Sequence, residues 1–133
     1  MSDDRPRRIL VVDDDAAITS SFEKILRGEG YDVATATDGV EAIELARERP
    51  FDFVLLDLVM PRMDGLTTLH HLNAVAPQAR VVILSAHLGR NWEAEALRLG
   101  AAAVVAKPPD IPKLLRLCDE LSRCDRTPPA GTR

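Results

Sequence analysis

Six polar side chains stand where apolar runs of the chain end: Asp13, Asp14 and Asp15 behind Ile9-Leu10-Val11-Val12, Asp57 behind Phe53-Val54-Leu55-Leu56, Ser85 behind Val81-Val82-Ile83-Leu84, and Lys107 behind the run 102–106. No other polar set in the sequence shares that placement. Carboxylates brought together from two neighbouring strands repel one another unless a proton or a cation intervenes. A hard divalent cation with oxygen ligands fits best. Magnesium takes one or two carboxylates with waters and a phosphate oxygen, so Asp14 and Asp57 as ligands, with Asp13 bound directly or through water, leave room for a phosphoryl group. The Lys107 ammonium and the Ser85 hydroxyl then suit its charged oxygens, and positioning with charge neutralisation is most of what phosphoryl transfer asks of a protein. Asp57 is the natural nucleophile, because a carboxylate accepts a phosphoryl group as an acyl phosphate without needing a base. Asp15 reads instead as a helix N-cap.

These residues meet only if the elements behind them form one sheet. Short runs rich in Val, Ile and Leu alternate with segments of helical period. Strands are expected at 9–12, 31–36, 53–56, 81–84 and 102–106. The first helix carries Ile18, Phe22, Ile25 and Leu26 inward and ends at Gly28 and Gly30. The second opens on Asp38 with Glu41 as a capping box and buries Ile43 and Ala46 before Pro50. Helices at 66–74 and 92–99 follow, and the last puts Ile111, Leu114, Leu115, Cys118 and Leu121 on one stripe behind an Asp110 cap, with Pro112 in its first turn. Unbroken apolar strands alternating with helices predict an α/β fold, a doubly wound parallel sheet covered on both faces, of strand order 2-1-3-4-5. In such a sheet chemistry collects beyond the carboxyl ends of the strands, at the switch point between the first and the third.

Composition narrows the reading. With 133 residues, 46% hydrophobic and 29% charged, one core and one domain are expected. A net charge of -4 offers no basic footprint for nucleic acid, and no apolar stretch approaches the ~20 residues of a membrane span, so a cytoplasmic protein is expected. Cys118 and Cys124 fall on different faces of one helix and read as two reduced thiols.

Taken in order, the motifs resemble the receiver domain of bacterial two-component response regulators. Residues 9–14 resemble the family's first strand with its acidic pair. Asp57-Leu58-Val59-Met60-Pro61 with Met63-Asp64-Gly65 resembles the phosphorylation strand and loop. Val82-Ile83-Leu84-Ser85-Ala86 resembles the strand bearing Thr or Ser, and Leu99-Gly100-Ala101 with Lys107-Pro108 resembles the lead-in and lysine of strand five. The resemblance covers 7–124, leaving 125–133 as a disordered tail or the start of a linker. It implies that Asp57 takes a phosphoryl group from a sensor histidine kinase or a histidine phosphotransfer protein. Magnesium, or manganese in its place, would sit on Asp13, Asp14, Asp57 and the backbone carbonyl of Val59, and Ser85 and Lys107 would touch the phosphoryl oxygens. The Lys107–Pro108 bond would be cis. The receiver itself would catalyse its phosphorylation and dephosphorylation, with no other enzyme activity.

The sequence departs from the family at three places. Val104 stands where Tyr or Phe is usual, so a rotating ring cannot report the phosphorylated state. Pro109 follows Lys107-Pro108 and stiffens the connection to the last helix. Val59 and His87, two residues beyond Asp57 and Ser85, flank the approach of a hydrolytic water and are the positions expected to tune the phosphoryl lifetime. His70, His71 and His87 are not spaced as a ligand set and are expected at the surface. A haloacid-dehalogenase-type phosphatase needs an acid where Val59 stands, and a flavodoxin-like cofactor site would not place three aspartates against phosphate. The expectation is a single-domain receiver that signals through a protein partner on the face of its fourth helix, fifth strand and fifth helix, or that passes its phosphoryl group onward. A receiver cut from a longer hybrid kinase or regulator, and a phosphorylation-independent interaction module, are the alternatives.

Overall fold

The computed structural model describes residues 7–57, 65–85, 90–107 and 109–123. The expectations placed on Val59, His87, Cys124, the 58–64 loop, the Lys107–Pro108 bond and the tail lie outside them. The elements run β1 (Arg8–Val12), α1 (Ala16–Gly28), β2 (Asp32–Ala36), α2 (Gly39–Glu48), β3 (Phe53–Asp57), α3 (Gly65–Val75), β4 (Arg80–Ser85), α4 (Arg90–Arg98), β5 (Ala103–Ala106) and α5 (Ile111–Arg123). All strand pairs are parallel and the order is β2-β1-β3-β4-β5, as the alternation predicts.

Each strand alternates between two apolar layers. Leu10, Val12, Val54, Leu56, Val81 and Ile83 pack under Ala42 and Ala46 of α2, Leu69 and Leu72 of α3 and Ala96 of α4. Ile9, Val11, Phe53, Leu55, Val82 and Leu84 pack under Phe22 and Leu26 of α1 and Leu114 and Cys118 of α5. Burial on both faces is why these strands read as continuous apolar runs in the sequence.

Local chemistry sets the ends of the helices. The Asp15 carboxylate accepts from the Ala17 N–H at 2.9 Å and caps α1, its expected role. Asp38 accepts from the Glu41 N–H at 2.8 Å while Glu41 reaches back to the Thr37 N–H at 2.9 Å, a reciprocal box at the start of α2. Two expectations need correction. Tyr31 does not begin β2: its N–H bonds the Leu26 carbonyl and Gly30, at φ 94°, bonds that of Arg27, so Tyr31 is consumed in the α1 cap and the strand starts at Asp32. Ile25 does not join the buried stripe. It is 37% exposed, whereas Phe22 and Leu26 are buried in the layer under α1 and Ile18 packs against it.

Cys118 is wholly buried in the α5 layer, and burial pushes its thiol from 9.0 up to about 11. Between those values the unfolded chain has released a proton that the native chain still holds, so stability falls as pH rises through that window. Stability is complete below it. The loss amounts to about 1.4 kcal/mol per pH unit, roughly 3 kcal/mol in all. Tyr31 is raised as well, by burial and then by the neighbouring Cys118, and its contribution has the same sign. Urea unfolding from pH 8 to pH 11 is expected to show this alkaline decline, and Cys118→Val is expected to flatten it; an unchanged slope in the variant would assign the decline to other groups.

Candidate functional site

Sheet register delivers the acidic cluster. Val12, the last residue of β1, pairs with Leu56 of β3, so the next residues, Asp13 and Asp57, emerge side by side. The Asp13 N–H still bonds the Ala36 carbonyl at 3.1 Å, which ties it to β2. Asp13 and Asp57 are buried, at 3% and 7% exposure, whereas Asp14 points to solvent. One carboxylate oxygen from each of the three lies within 4.8 Å of the others. Asp57 and Ser85 are the final residues of their strands, and Ser85 is fully buried.

Lys107 comes from the far side of the sheet. Its backbone N–H bonds the Ser85 carbonyl at 2.8 Å, continuing the β4–β5 ladder one residue past β5. The ammonium then reaches Asp13 Oδ2 at 2.8 Å and Asp57 Oδ2 at 3.4 Å. Burial alone lowers the pKa of this lysine, but the hydrogen bond to Asp13 and the charges of Asp57 and Asp13 outweigh it, so the pKa stands above the ordinary value. Asp13 is held at both oxygens, since Oδ1 accepts from the Asp15 N–H at 2.9 Å. Asp13 and Asp57 therefore share the Lys107 ammonium. A divalent ion fits the same oxygens, and its charge suits three acids better than a single ammonium does.

The structure thus brings together Asp13, Asp14, Asp57 and Lys107, with Ser85 at the neighbouring strand end. One feature beside them escaped the sequence reading. A largely apolar groove of about 600 Å³ runs along α1 to the start of α5, lined by Ala17, Ile18, Ser21, Phe22, Ile25, Pro109 and Ile111, with Lys107 at one end. The periodicity of α1 shows an apolar face, but only the fold shows that part of it lines a groove together with Lys107. His70 and His71 are exposed on α3, with ring centroids 5.6 Å apart, as surface residues. Val104 is half-buried against the α2–α4 layer, opposite Ile83.

Comparison with known proteins agrees with this geometry. The chain is 42% identical to the chemotaxis protein CheY of Treponema pallidum over 113 residues, covering 83% of this chain and 78% of that one. It is 43% identical to the transcriptional regulatory protein ZraR of Escherichia coli O157:H7 over 106 residues, 80% of this chain and 24% of that protein, so it spans about a quarter of ZraR's length. Among solved structures, the CheX-CheY-BeF3-Mg2+ complex from Borrelia burgdorferi superposes with a TM-score of 0.83 at 32% identity, covering 88% of this chain and 90% of that one. No described helix is long and apolar enough to cross a membrane. Residues 9–119 match the response regulator receiver domain model, and with the strand order and the clustered aspartates they establish that the chain belongs to that family, the receivers of two-component signalling.

Proposed function

We propose that Asp57 is the phosphoacceptor of this receiver and that the donor is a phosphohistidine on a sensor kinase or phosphotransfer protein. The observation that carries the proposal is the convergence of Asp13, Asp14 and Asp57 within 4.8 Å of one another, with the Lys107 ammonium on Asp13 and Asp57. In the transfer an Asp57 carboxylate oxygen attacks phosphorus as the P–N bond breaks, and the electron pair of that bond stays on the departing imidazole. Lys107 is placed to balance charge on the phosphoryl oxygens, and the Ser85 hydroxyl lies at the next strand end to donate to one of them. Asp13, Asp14 and Asp57, with the Val59 carbonyl, are the groups that would hold magnesium. When bound, the ion neutralises carboxylates and phosphoryl oxygens together.

The groove along α1 supports the reading of a protein donor. It is apolar, opens beside Lys107 and leaves Ile18 and Ile25 accessible, which suits a helix face carrying a histidine into the site. In this reading the chain catalyses only its own phosphorylation and dephosphorylation, in the cytoplasm.

Intact mass after incubation with a small phosphodonor, with and without magnesium, tests the proposal. A gain of one phosphoryl group that requires magnesium is expected. No gain under either condition, with no divalent cation bound, would leave a phosphorylation-independent interaction module on a receiver fold.

A further inference from the structure

The described side chains of the fourth helix bury little apolar surface. Among its described side chains Ala96 is buried, while Glu93, Ala94, Leu97 and Arg98 are exposed. Its C-terminal end is closed by a glycine cap: the Ala101 N–H bonds the Ala96 carbonyl at 3.0 Å and the Gly100 N–H bonds that of Leu97 at 3.1 Å, with Gly100 at φ 106°. That cap does not supply a donor for the Leu99 carbonyl. The donor comes from another helix, as Asn73 Nδ2 of α3 hydrogen-bonds the Leu99 oxygen. Gly100 also leaves room for that contact, since a Cβ there would lie 2.5 Å from the same Asn73 nitrogen. Side chain and glycine together form a latch between α3 and α4.

We propose that Asn73 is a positioning residue for the α4 face, fixing the C-terminal end of the helix in the unphosphorylated chain so that any displacement of α4 pivots about Leu99 and Gly100. The location gives the latch its consequence. The chain enters α4 shortly after Ser85, so a pull at the site acts on the end opposite Asn73. Val104, half-buried in the layer shared with Ala96 and Leu99, has no ring whose rotation could register that pull. With Ala96 the one buried side chain among those described in α4 and a polar tether at its C-terminal end, the helix is poised to tilt rather than to slide. This inference rests on the reading of Asp57 as phosphoacceptor only for the direction of the pull.

Hydrogen exchange on the full chain tests it, comparing the parent with Asn73→Ala and with Asn73→Asp, which keeps the size but lacks the N–H. Both variants are expected to exchange roughly fivefold to tenfold faster in peptides spanning 93–101, the equivalent of one lost hydrogen bond. Peptides from β1, β3 and α5 are expected to keep the parent's rates. Beryllofluoride with magnesium, a phosphoryl mimic, should then change α4 exchange less in the variants than in the parent. Unchanged α4 exchange in both variants, a rise spread evenly over all elements, or an undiminished beryllofluoride response would overturn the latch. No beryllofluoride response in the parent would instead count against the phosphoacceptor reading, leaving the metal-free comparison to decide on Asn73.

Discussion

Asp57→Asn is expected to take up no phosphoryl group from a small phosphodonor, with or without magnesium, while remaining folded. An amide at this position is not ionised and offers no carboxylate oxygen to form the acyl phosphate, so the loss is complete rather than graded. Folding should survive because the replacement matches the shape of a side chain that is 7% exposed at the end of β3. The electrostatic changes also oppose one another. The variant gives up an attraction to Lys107 at 3.4 Å, but it removes repulsion between Asp57 and two other carboxylates within 4.8 Å. A melting temperature equal to or above the parent's is therefore expected, together with weaker divalent-cation binding, since one ligand charge is gone. Intact mass, thermal unfolding and cation titration read the three quantities on the same sample. If the variant still gained one phosphoryl group at the parent's level, the acceptor would have to be another group, and peptide mapping would be directed first at Asp13 and Asp14.

Much of this site is legible in the sequence for one physical reason. In a parallel sheet every strand delivers its last side chain to the same edge, so the order of apolar runs with the topology specifies which polar residues meet. Val12 paired with Leu56 is enough to place Asp13 beside Asp57, and the strand order brings in Ser85 and Lys107. What sequence patterning does not carry is a choice between partners of equal chemistry. Nothing in the spacing says that Lys107 settles closer to Asp13 than to Asp57, because a long flexible side chain near several carboxylates is placed by local packing. Ile25 fails for a related reason. A helical period identifies an apolar stripe but not its width, and the sheet covers Phe22 and Leu26 while leaving Ile25 to edge the groove. Tyr31 adjoins the apolar run of β2 in sequence, yet the cap formed through Gly30 takes its N–H first. Asn73 had no signal at all, since its partner is a backbone carbonyl 26 residues away.

Lys107→Met is expected to move two properties of the site in opposite directions. In the parent, a cation entering the acidic cluster must displace the ammonium from Asp13 Oδ2, where it sits at 2.8 Å, and then bear its repulsion at short range. Two unit charges about 4 Å apart interact by about 4 kcal/mol at an effective dielectric constant near 20, and solvent around Asp14 screens part of that. Removing the charge while keeping a long apolar stem should tighten divalent-cation binding by about tenfold. The methionine keeps an unbranched stem of similar length in the lining of the groove that Lys107 shares with Ile111 and Pro109, so the groove is expected to be preserved. Phosphoryl transfer should fall, because the charge proposed to face the phosphoryl oxygens is lost; removing one such preorganised group typically costs on the order of 10² to 10³ in rate. Tighter cation binding with slower phosphorylation separates Lys107 from the aspartates, whose loss weakens both. Calorimetric titration with magnesium reads the first effect, and the rate of mass gain from a small phosphodonor reads the second. Cation binding that weakened in the variant would mean that Lys107 organises the carboxylates rather than competing for them, and an unchanged rate would remove it from the transfer step.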